Sequence, residues 1–136
     1  MRHAFERIAE QAYVRAMNAK HLPLAKTWGR WEGKDREGGA IEIDLVAALD
    51  DGRTLTGGVK WNRKPLAAEV FAHHLRMLDR LAAAGISWAH RSRELGAPTL
   101  FIAANGFSSR FQTAARASSH PVTLWALKDL YGHCLR

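Results

Sequence analysis

Apolar residues recur every three or four positions in three segments of the chain, and this spacing predicts amphipathic α-helices over residues 3–19, 65–84 and 108–117. Pro65 suits the first turn of the second helix, because that turn needs no backbone N–H from it, and Gly85 ends that helix. The sequence also predicts a terminal helical turn over residues 127–131.

Alternating or continuous apolar runs predict strands between these helices. A short strand covers residues 27–33, and a hairpin covers about 40–61, with a glycine-containing turn at residues 50–53. Buried-type runs predict two further strands at 98–104 and 122–125. The order α-β-β-β-α-β-α-β predicts an α/β fold with a mixed central sheet flanked by helices. A length of 136 residues predicts a single domain over 1–136.

The hairpin also places charged side chains together. Side chains on a strand point to the same face at every second residue, so Glu42 and Asp44 share one face, as do Gly58 and Lys60 on the next strand. Antiparallel pairing would therefore bring a carboxylate and a lysine onto one surface. Such a pair has two interpretations: a structural cross-strand ion pair, or part of a metal-dependent phosphodiesterase site.

Composition narrows the function classes. The formal net charge of +7 favours a polyanion such as nucleic acid as partner, because phosphate contacts release condensed counterions; the alternative is charge that serves only solubility. No apolar run is long enough for a membrane span or a signal peptide. The only cysteine, Cys134, allows no internal disulfide and has no partner base, so we expect an inert thiol and a cytoplasmic protein.

Five segments follow one another in a recognisable order. They are Phe5-Glu6, residues 42–47 (EIDLVA), residues 57–61 (GGVKW), residues 100–102 (LFI) and residues 105–108 (NGFS). In this order they resemble the PD-(D/E)XK, or restriction-endonuclease-like, nuclease superfamily. More narrowly, they resemble the domain of unknown function at the C-terminus of archaeal-type AAA+ ATPases, which is also found in bacteria. The resemblance spans about residues 3–131.

The resemblance implies a fold, an activity and a partner. It implies a restriction-endonuclease-like fold, hydrolysis of DNA phosphodiester bonds with Mg²⁺ or Mn²⁺, and an ATPase that is fused to the domain or acts as a separate partner. The chain has no glycine-rich phosphate loop of the GK[ST] type. A free-standing protein and an excised domain both remain open, as does the oligomeric state.

The resemblance also assigns roles to residues. Asp44 corresponds to the metal-binding aspartate, Lys60 to the catalytic lysine that orients the attacking water, and Glu6 to the assisting glutamate of the first helix. The position two residues before the lysine should carry a second acid, but this chain has Gly58 there. Mg²⁺ is usually held by one or two carboxylates together with waters and substrate phosphate, so this loss weakens the metal site.

Two other acids are candidates to compensate. Glu42 lies one pleat along the strand from Asp44 and would be a metal ligand if the metal were shifted toward it. Glu69, on the helix after the hairpin, would supply the missing acid from a different position in the sequence. Two functions follow. The first is a Mg²⁺- or Mn²⁺-dependent DNA phosphodiesterase, and the second is an inactive nuclease-fold module for nucleic-acid binding or protein docking.

Other residues have less specific patterns. For Trp28, Trp31 and Trp61, packing in the core is favoured over stacking on bases. Of the neighbours His73 and His74, one is expected at the core edge and one in solvent. The candidate phosphate contacts are basic residues of the second half of the chain: Arg63, Lys64, Arg76, Arg110 and Arg116.

Overall fold

The computed structural model describes residues 2–18 and 22–134, and it describes side chains over residues 4–18 and 22–130. Cys134 is therefore described only by its backbone. Most of the described residues lie in helices and strands. In chain order the elements are α1 Arg2–Asn18, β1 Gly29–Lys34, β2 Ala40–Ala48, β3 Thr54–Lys60, α2 Ala68–Ala83, α3 Ser87–Ser92, β4 Thr99–Ala103, α4 Ser109–Ala117, β5 Val122–Ala126 and α5 Leu127–Cys134.

The strands form one mixed sheet in the order β1-β2-β3-β4-β5. The pairs β1–β2 and β2–β3 are antiparallel, whereas β3–β4 and β4–β5 are parallel. Helix α1 packs with α5 on one face, and α2 packs with α3 and α4 on the other. The predicted α/β class, a mixed sheet with helices on both faces, is confirmed.

An aromatic cluster fills the space between the sheet and helices α2 and α4. Phe101 of β4 makes edge-to-face contacts with Phe71, with its ring centroid at 5.8 Å, and with Phe111 at 5.2 Å. The ring of His74 meets Phe101 edge-on at 5.1 Å. All four side chains are buried, and burying each Phe contributes about 1.5–3 kcal/mol. The Phe101 ring is therefore held by neighbours on several sides.

A β-bulge interrupts the alternation of β2. Gly29 pairs with Val46 and Trp31 with Ile43, so β2 has one more residue than β1 between these pairs. Ile43 consequently packs in the cluster on the α2 side of the sheet, whereas Leu45 packs in the cluster on the α1 side. Residues 43 and 45 are thus both buried but on opposite faces of the sheet, because a bulge re-aims the side chains that follow it.

Helix α2 begins at Ala68, three residues after the predicted start at Pro65. The delay comes from Leu66, whose backbone N–H donates to the Gly106 carbonyl and whose carbonyl accepts from the Ser108 N–H, each at 2.9 Å. Helix α3 was not predicted. Among the described residues, no helix combines the length and the apolar character that crossing a membrane requires.

Candidate functional site

Asp44 lies where strands β2 and β3 separate. Their antiparallel pairing runs from Ala48–Thr54 to Leu45–Gly57 and ends there. At the next position the Asp44 carboxylate takes the place of a backbone partner, because its Oδ2 accepts the Val59 N–H at 3.1 Å. The side chain thus satisfies a donor that the parting strands would leave unpaired.

The same oxygen binds a lysine. Lys60 Nζ lies 2.7 Å from Asp44 Oδ2, with 40% of the lysine side chain exposed and 14% of the aspartate side chain. The structure thus brings together the two side chains that the hairpin pattern places on one surface. A carboxylate this deeply buried requires a charge partner and hydrogen bonds, and Lys60 and Val59 provide both.

A cavity of about 50 Å³ lies beside this ion pair, on the α2 side of the sheet. Both histidines of α2 line it, as do Gly58 and Phe101. His73 is exposed and His74 is buried, as expected for this pair. His74 Nε2 lies 3.0 Å from the Thr56 hydroxyl. Burial lowers the pKa of His74 to about 4, opposed in part by the negative charge of Asp44.

Gly58 is opposite an aromatic ring. It is the direct neighbour of Phe101 in the parallel register of β3 and β4. A Cβ atom at position 58 would lie 2.9 Å from Phe101 Cε1, 3.0 Å from Cδ1 and 3.5 Å from Lys60 Cε. The first two distances are shorter than carbon atoms tolerate, and the Phe101 ring is clamped by Phe71 and Phe111. The place where an acid at position 58 would begin is therefore filled.

The other candidate acids differ in how they lie relative to Asp44. Glu6 is half-buried on α1 and lines a groove that also reaches Asp44. Glu42 lines the cavity beside Asp44 and forms an ion pair with Arg30, whereas Glu69 is exposed and does not line that cavity. No group of three or more His, Cys, Asp and Glu side chains able to hold a metal ion occurs in the part of the chain that is described. Mg²⁺ is usually held by one or two carboxylates with waters and phosphate, and here Asp44 Oδ2 is already bound by Lys60 Nζ and the Val59 N–H.

The net positive charge comes from the second half of the chain. Residues 1–59 contain nine Lys and Arg against nine Asp and Glu, whereas residues 60–136 contain eleven against four. The net charge of +7 therefore comes entirely from residue 60 onward. The five predicted phosphate contacts all fall in this half, on the loop after β3, on α2 and on α4, and all are exposed: Arg63, Lys64, Arg76, Arg110 and Arg116.

Two loops meet where the parallel strands β3 and β4 end. The Asn105 backbone N–H donates to Asn62 Oδ1 at 3.0 Å, and the Asn105 side-chain amide donates to the Asn62 carbonyl at 2.6 Å. The Asn62 side chain in turn donates to the Lys64 carbonyl at 2.6 Å. Arg63 and Lys64 are thus carried by a hydrogen-bonded loop, and Arg110 lies in the first turn of the helix that follows the other loop.

The tryptophans divide into two groups. Trp28 packs on Tyr13 and Trp31 on Trp88, with both half-buried, so the expectation of core packing is confirmed for them. Trp61 is 48% exposed and follows Lys60 directly, so core packing is wrong for this residue. Periodicity gave no signal for the difference, because Trp61 directly follows β3 and its exposure depends on how α1 covers it.

The comparison with curated proteins finds no match. Among solved structures, the chain is similar to a repair endonuclease from Pyrococcus abyssi, at 13% identity and a TM-score of 0.48 over 88% of this chain and 46% of that one. It is similar to the DNA modification-dependent restriction endonuclease AspBHI at 13% identity and 0.47, over 96% and 34%. A protein of unknown function, AF1548, gives 15% identity and 0.48, over 92% and 65%.

The chain spans about half the length of the repair endonuclease and about a third of the restriction endonuclease. A family model described as "Archaea bacterial proteins of unknown function" matches residues 1–72, which is more than half of the chain. The predicted resemblance to a domain of unknown function found in archaea and bacteria is thereby confirmed, and the chain belongs to this family, DUF234.

Proposed function

We propose that this chain is a nuclease-fold module that binds nucleic acid, with DNA as the first candidate, and does not hydrolyse it. The observation that carries the second half of this proposal is the contact between positions 58 and 101. The superfamily that the sequence resembles needs an acid two residues before its lysine. Here that position is Gly58, and the ring of Phe101 fills the space into which a larger side chain would extend.

In this interpretation the Asp44–Lys60 pair has a structural role. The carboxylate accepts the Val59 N–H at the point where β2 and β3 part, and Lys60 neutralises its charge. Both groups would be needed for folding even without any reaction, because a carboxylate that is 14% exposed is costly without a partner. Retention of the acid and the lysine therefore fits a non-hydrolysing module.

The binding half of the proposal is supported by charge. The net positive charge is carried by the half of the chain from Lys60 onward, where exposed arginines and lysines lie on α2, on α4 and on the loop after β3. Cations concentrated in this way attract a polyanion by releasing its counterions. The resemblance extends the proposal to an ATPase, fused or separate, that works with the module, and the composition extends it to a cytoplasmic location.

The binding proposal is tested with fluorescently labelled DNA at several salt concentrations. Lys64→Gln should weaken binding and lower the slope of log affinity against log salt by about 0.7–0.9, because one phosphate contact is lost. Lys26→Gln is the matched control, since Lys26 is also exposed but lies beside the far end of β2, where its N–H donates to the Ala48 carbonyl. Absence of binding, or equal effects of the two changes, would contradict the proposal.

A second candidate function is metal-dependent hydrolysis of DNA, with Asp44, Glu6 and Glu42 as Mg²⁺ or Mn²⁺ ligands and Lys60 as the residue that orients water. The observation that favours it is the position of the Asp44–Lys60 pair beside a cavity, where two strands separate. Because Asp44 Oδ2 is already bound by Lys60 Nζ and the Val59 N–H, we derive no step through a metal.

Cleavage and metal binding decide between the two functions. Plasmid and single-stranded DNA are incubated with Mg²⁺ or Mn²⁺ and the parent protein, Asp44→Ala or Lys60→Ala. We expect no cleavage that depends on these residues. Calorimetric titration with Mn²⁺ should give no binding that disappears in Asp44→Ala. Cleavage by the parent that is lost in both variants, or specific Mn²⁺ binding at Asp44, would replace the first function by the second.

A Gly58→Glu change gives a further check. On its own it should not create Mn²⁺ binding, because the new side chain collides with the Phe101 ring. Combined with Phe101→Leu, which removes the part of the ring that blocks position 58, it should create a measurable Mn²⁺ site with Asp44. Binding in Gly58→Glu alone would show that the ring moves aside and would remove the main support for an inactive module.

A further inference from the structure

We propose that the chain binds single-stranded nucleic acid, with a base stacked on Trp61 and phosphates on the neighbouring cations. The inference rests on the proposed nucleic-acid binding and specifies its ligand and its site. The surface consists of the loops that follow β3 and β4 and of the first turn of α4, and we call it the strand-end surface. It contains Trp61, Arg63, Lys64, Asn105 and Arg110.

Trp61 is a large apolar side chain that is exposed but held in place. Its ring lies 5.1 Å from that of Phe5, centroid to centroid, in an edge-to-face contact at 68°, and Phe5 is 2% exposed. The indole is therefore anchored on the buried part of α1 while 48% of the residue remains open to a ligand. A ring oriented in advance loses little side-chain freedom when a base stacks on it.

The backbone beneath this surface is also ordered in advance. Asn62 and Asn105 exchange hydrogen bonds across the two loops, and the Ala104 N–H donates to the Lys60 carbonyl at 3.0 Å. These bonds fix the chain on both sides of Trp61. The indole and the cations that follow it in sequence, Arg63 and Lys64, therefore have a defined spacing.

The combination of an open ring and adjacent cations selects the class of nucleic acid. Cations bind phosphates of any strand, but an indole stacks only on a base whose face is free. Bases inside a duplex are stacked on each other on both faces, so only single strands and frayed ends offer such a base. Because every base has a π-face, we expect little dependence on sequence.

The experiment compares oligonucleotides of about 12 nucleotides, within the range of site sizes of single-strand binders. The probes are oligo-dT, oligo-rU, an abasic strand with the same phosphates, and a duplex. We expect the parent protein to bind oligo-dT more tightly than the abasic strand or the duplex. Trp61→Ala should weaken binding of oligo-dT roughly tenfold and leave the abasic strand unchanged, because only stacking is lost.

Two further variants serve as controls. Trp61→Phe should restore most of the affinity for oligo-dT, since a phenyl ring also stacks. Leu24→Ala removes another exposed apolar side chain (53% exposed), at a distance from this surface in sequence, and should have no effect. Comparison of oligo-dT with oligo-rU establishes whether the sugar matters to binding.

The outcomes separate this inference from the function on which it rests. If the parent binds none of the four probes, the proposed nucleic-acid binding fails. If it binds them but Trp61→Ala changes nothing, or weakens the abasic strand and oligo-dT equally, the stacking site is refuted and the binding function stands. Tighter binding of the duplex than of oligo-dT would also overturn the inference.

Discussion

Replacing Gly58 by alanine should destabilise the protein, although alanine normally stabilises a strand relative to glycine. The added Cβ would lie 2.9 and 3.0 Å from two carbons of Phe101, closer than non-bonded carbons approach. The ring cannot swing away without disturbing Phe71 and Phe111, whose centroids lie 5.8 and 5.2 Å from it. The strain must therefore be shared by a buried aromatic cluster.

The size of the effect follows from two opposing terms. Overpacking a core costs about 1–3 kcal/mol, whereas replacing glycine by alanine recovers about 0.5–1 kcal/mol of backbone entropy. The net free energy of unfolding should fall by about 0.5–2 kcal/mol. For a domain of 136 residues, with roughly 4 °C per kcal/mol, the melting temperature should fall by about 2–8 °C.

Thermal unfolding followed by circular dichroism measures this change. Gly29→Ala is the matched control: it is a strand glycine whose added Cβ meets nothing within 4 Å, so its melting temperature should stay unchanged or rise. In a Phe101→Leu background the cost of Gly58→Ala should shrink, with a coupling of about 0.5–2 kcal/mol. Equal shifts for the two glycines, or equal costs in both backgrounds, would refute the packing argument.

Three other changes test the structure. Lys60→Met removes the cation beside Asp44 and leaves its carboxylate with the hydrogen bond from the Val59 N–H. The free energy of unfolding, measured by urea titration, should fall by about 1–2 kcal/mol. An unchanged urea midpoint would contradict a structural ion pair. Burial lowers the pKa of His74 to about 4, so His74 should not affect folding stability above pH 6.5 and should lower it as the pH drops from about 6.5 to 4. In urea titrations across that range, His74→Gln should reduce this pH dependence. An unchanged pH dependence in the variant would contradict the role of His74. Tyr13→Phe removes the hydrogen bond to the Pro23 carbonyl at 2.9 Å and should cost about 0.5–1.5 kcal/mol by the same assay, whereas no loss would mean that water replaces the bond.

The features predicted from sequence are those with local causes. The hairpin was predictable because alternating strands flank a glycine-containing turn, and Asp44 meets Lys60 just beyond the paired part of these strands. Helix α4 was predictable because its apolar residues recur at helical spacing, and in the structure Ser108 caps it, its hydroxyl oxygen accepting the Phe111 N–H at 3.1 Å. In each case the deciding residues lie close together in the sequence.

The features that were not predicted depend on distant neighbours. The bulge in β2 is visible only in its register with β1, where Gly29 and Trp31 face Val46 and Ile43. The delayed start of α2 depends on Leu66, which bonds to a loop about forty residues away. The exposure of Trp61 likewise depends on the packing of α1. Periodicity describes one element at a time and contains none of this information.

The relation between Gly58 and Phe101 is the most instructive of these distant effects. Read along the sequence, Gly58 is a missing acid, and the natural inference is a site that lost one ligand. In the sheet the two residues are direct neighbours, and the ring needs a residue without a side chain beside it. The glycine is thus accounted for by packing, without reference to catalysis.

The same reasoning explains why the acid and the lysine persist beside a filled site. Removing Asp44 would leave the Val59 N–H without its acceptor where the strands part, and removing Lys60 would leave a poorly solvated carboxylate without its cation. Gly58 packs against Phe101, and Asp44 pairs with Lys60. Changing one residue of either pair, without its partner, should therefore lower stability. An acid at position 58 would require a change at position 101 as well, which is why the double change, and not the single one, is the informative variant.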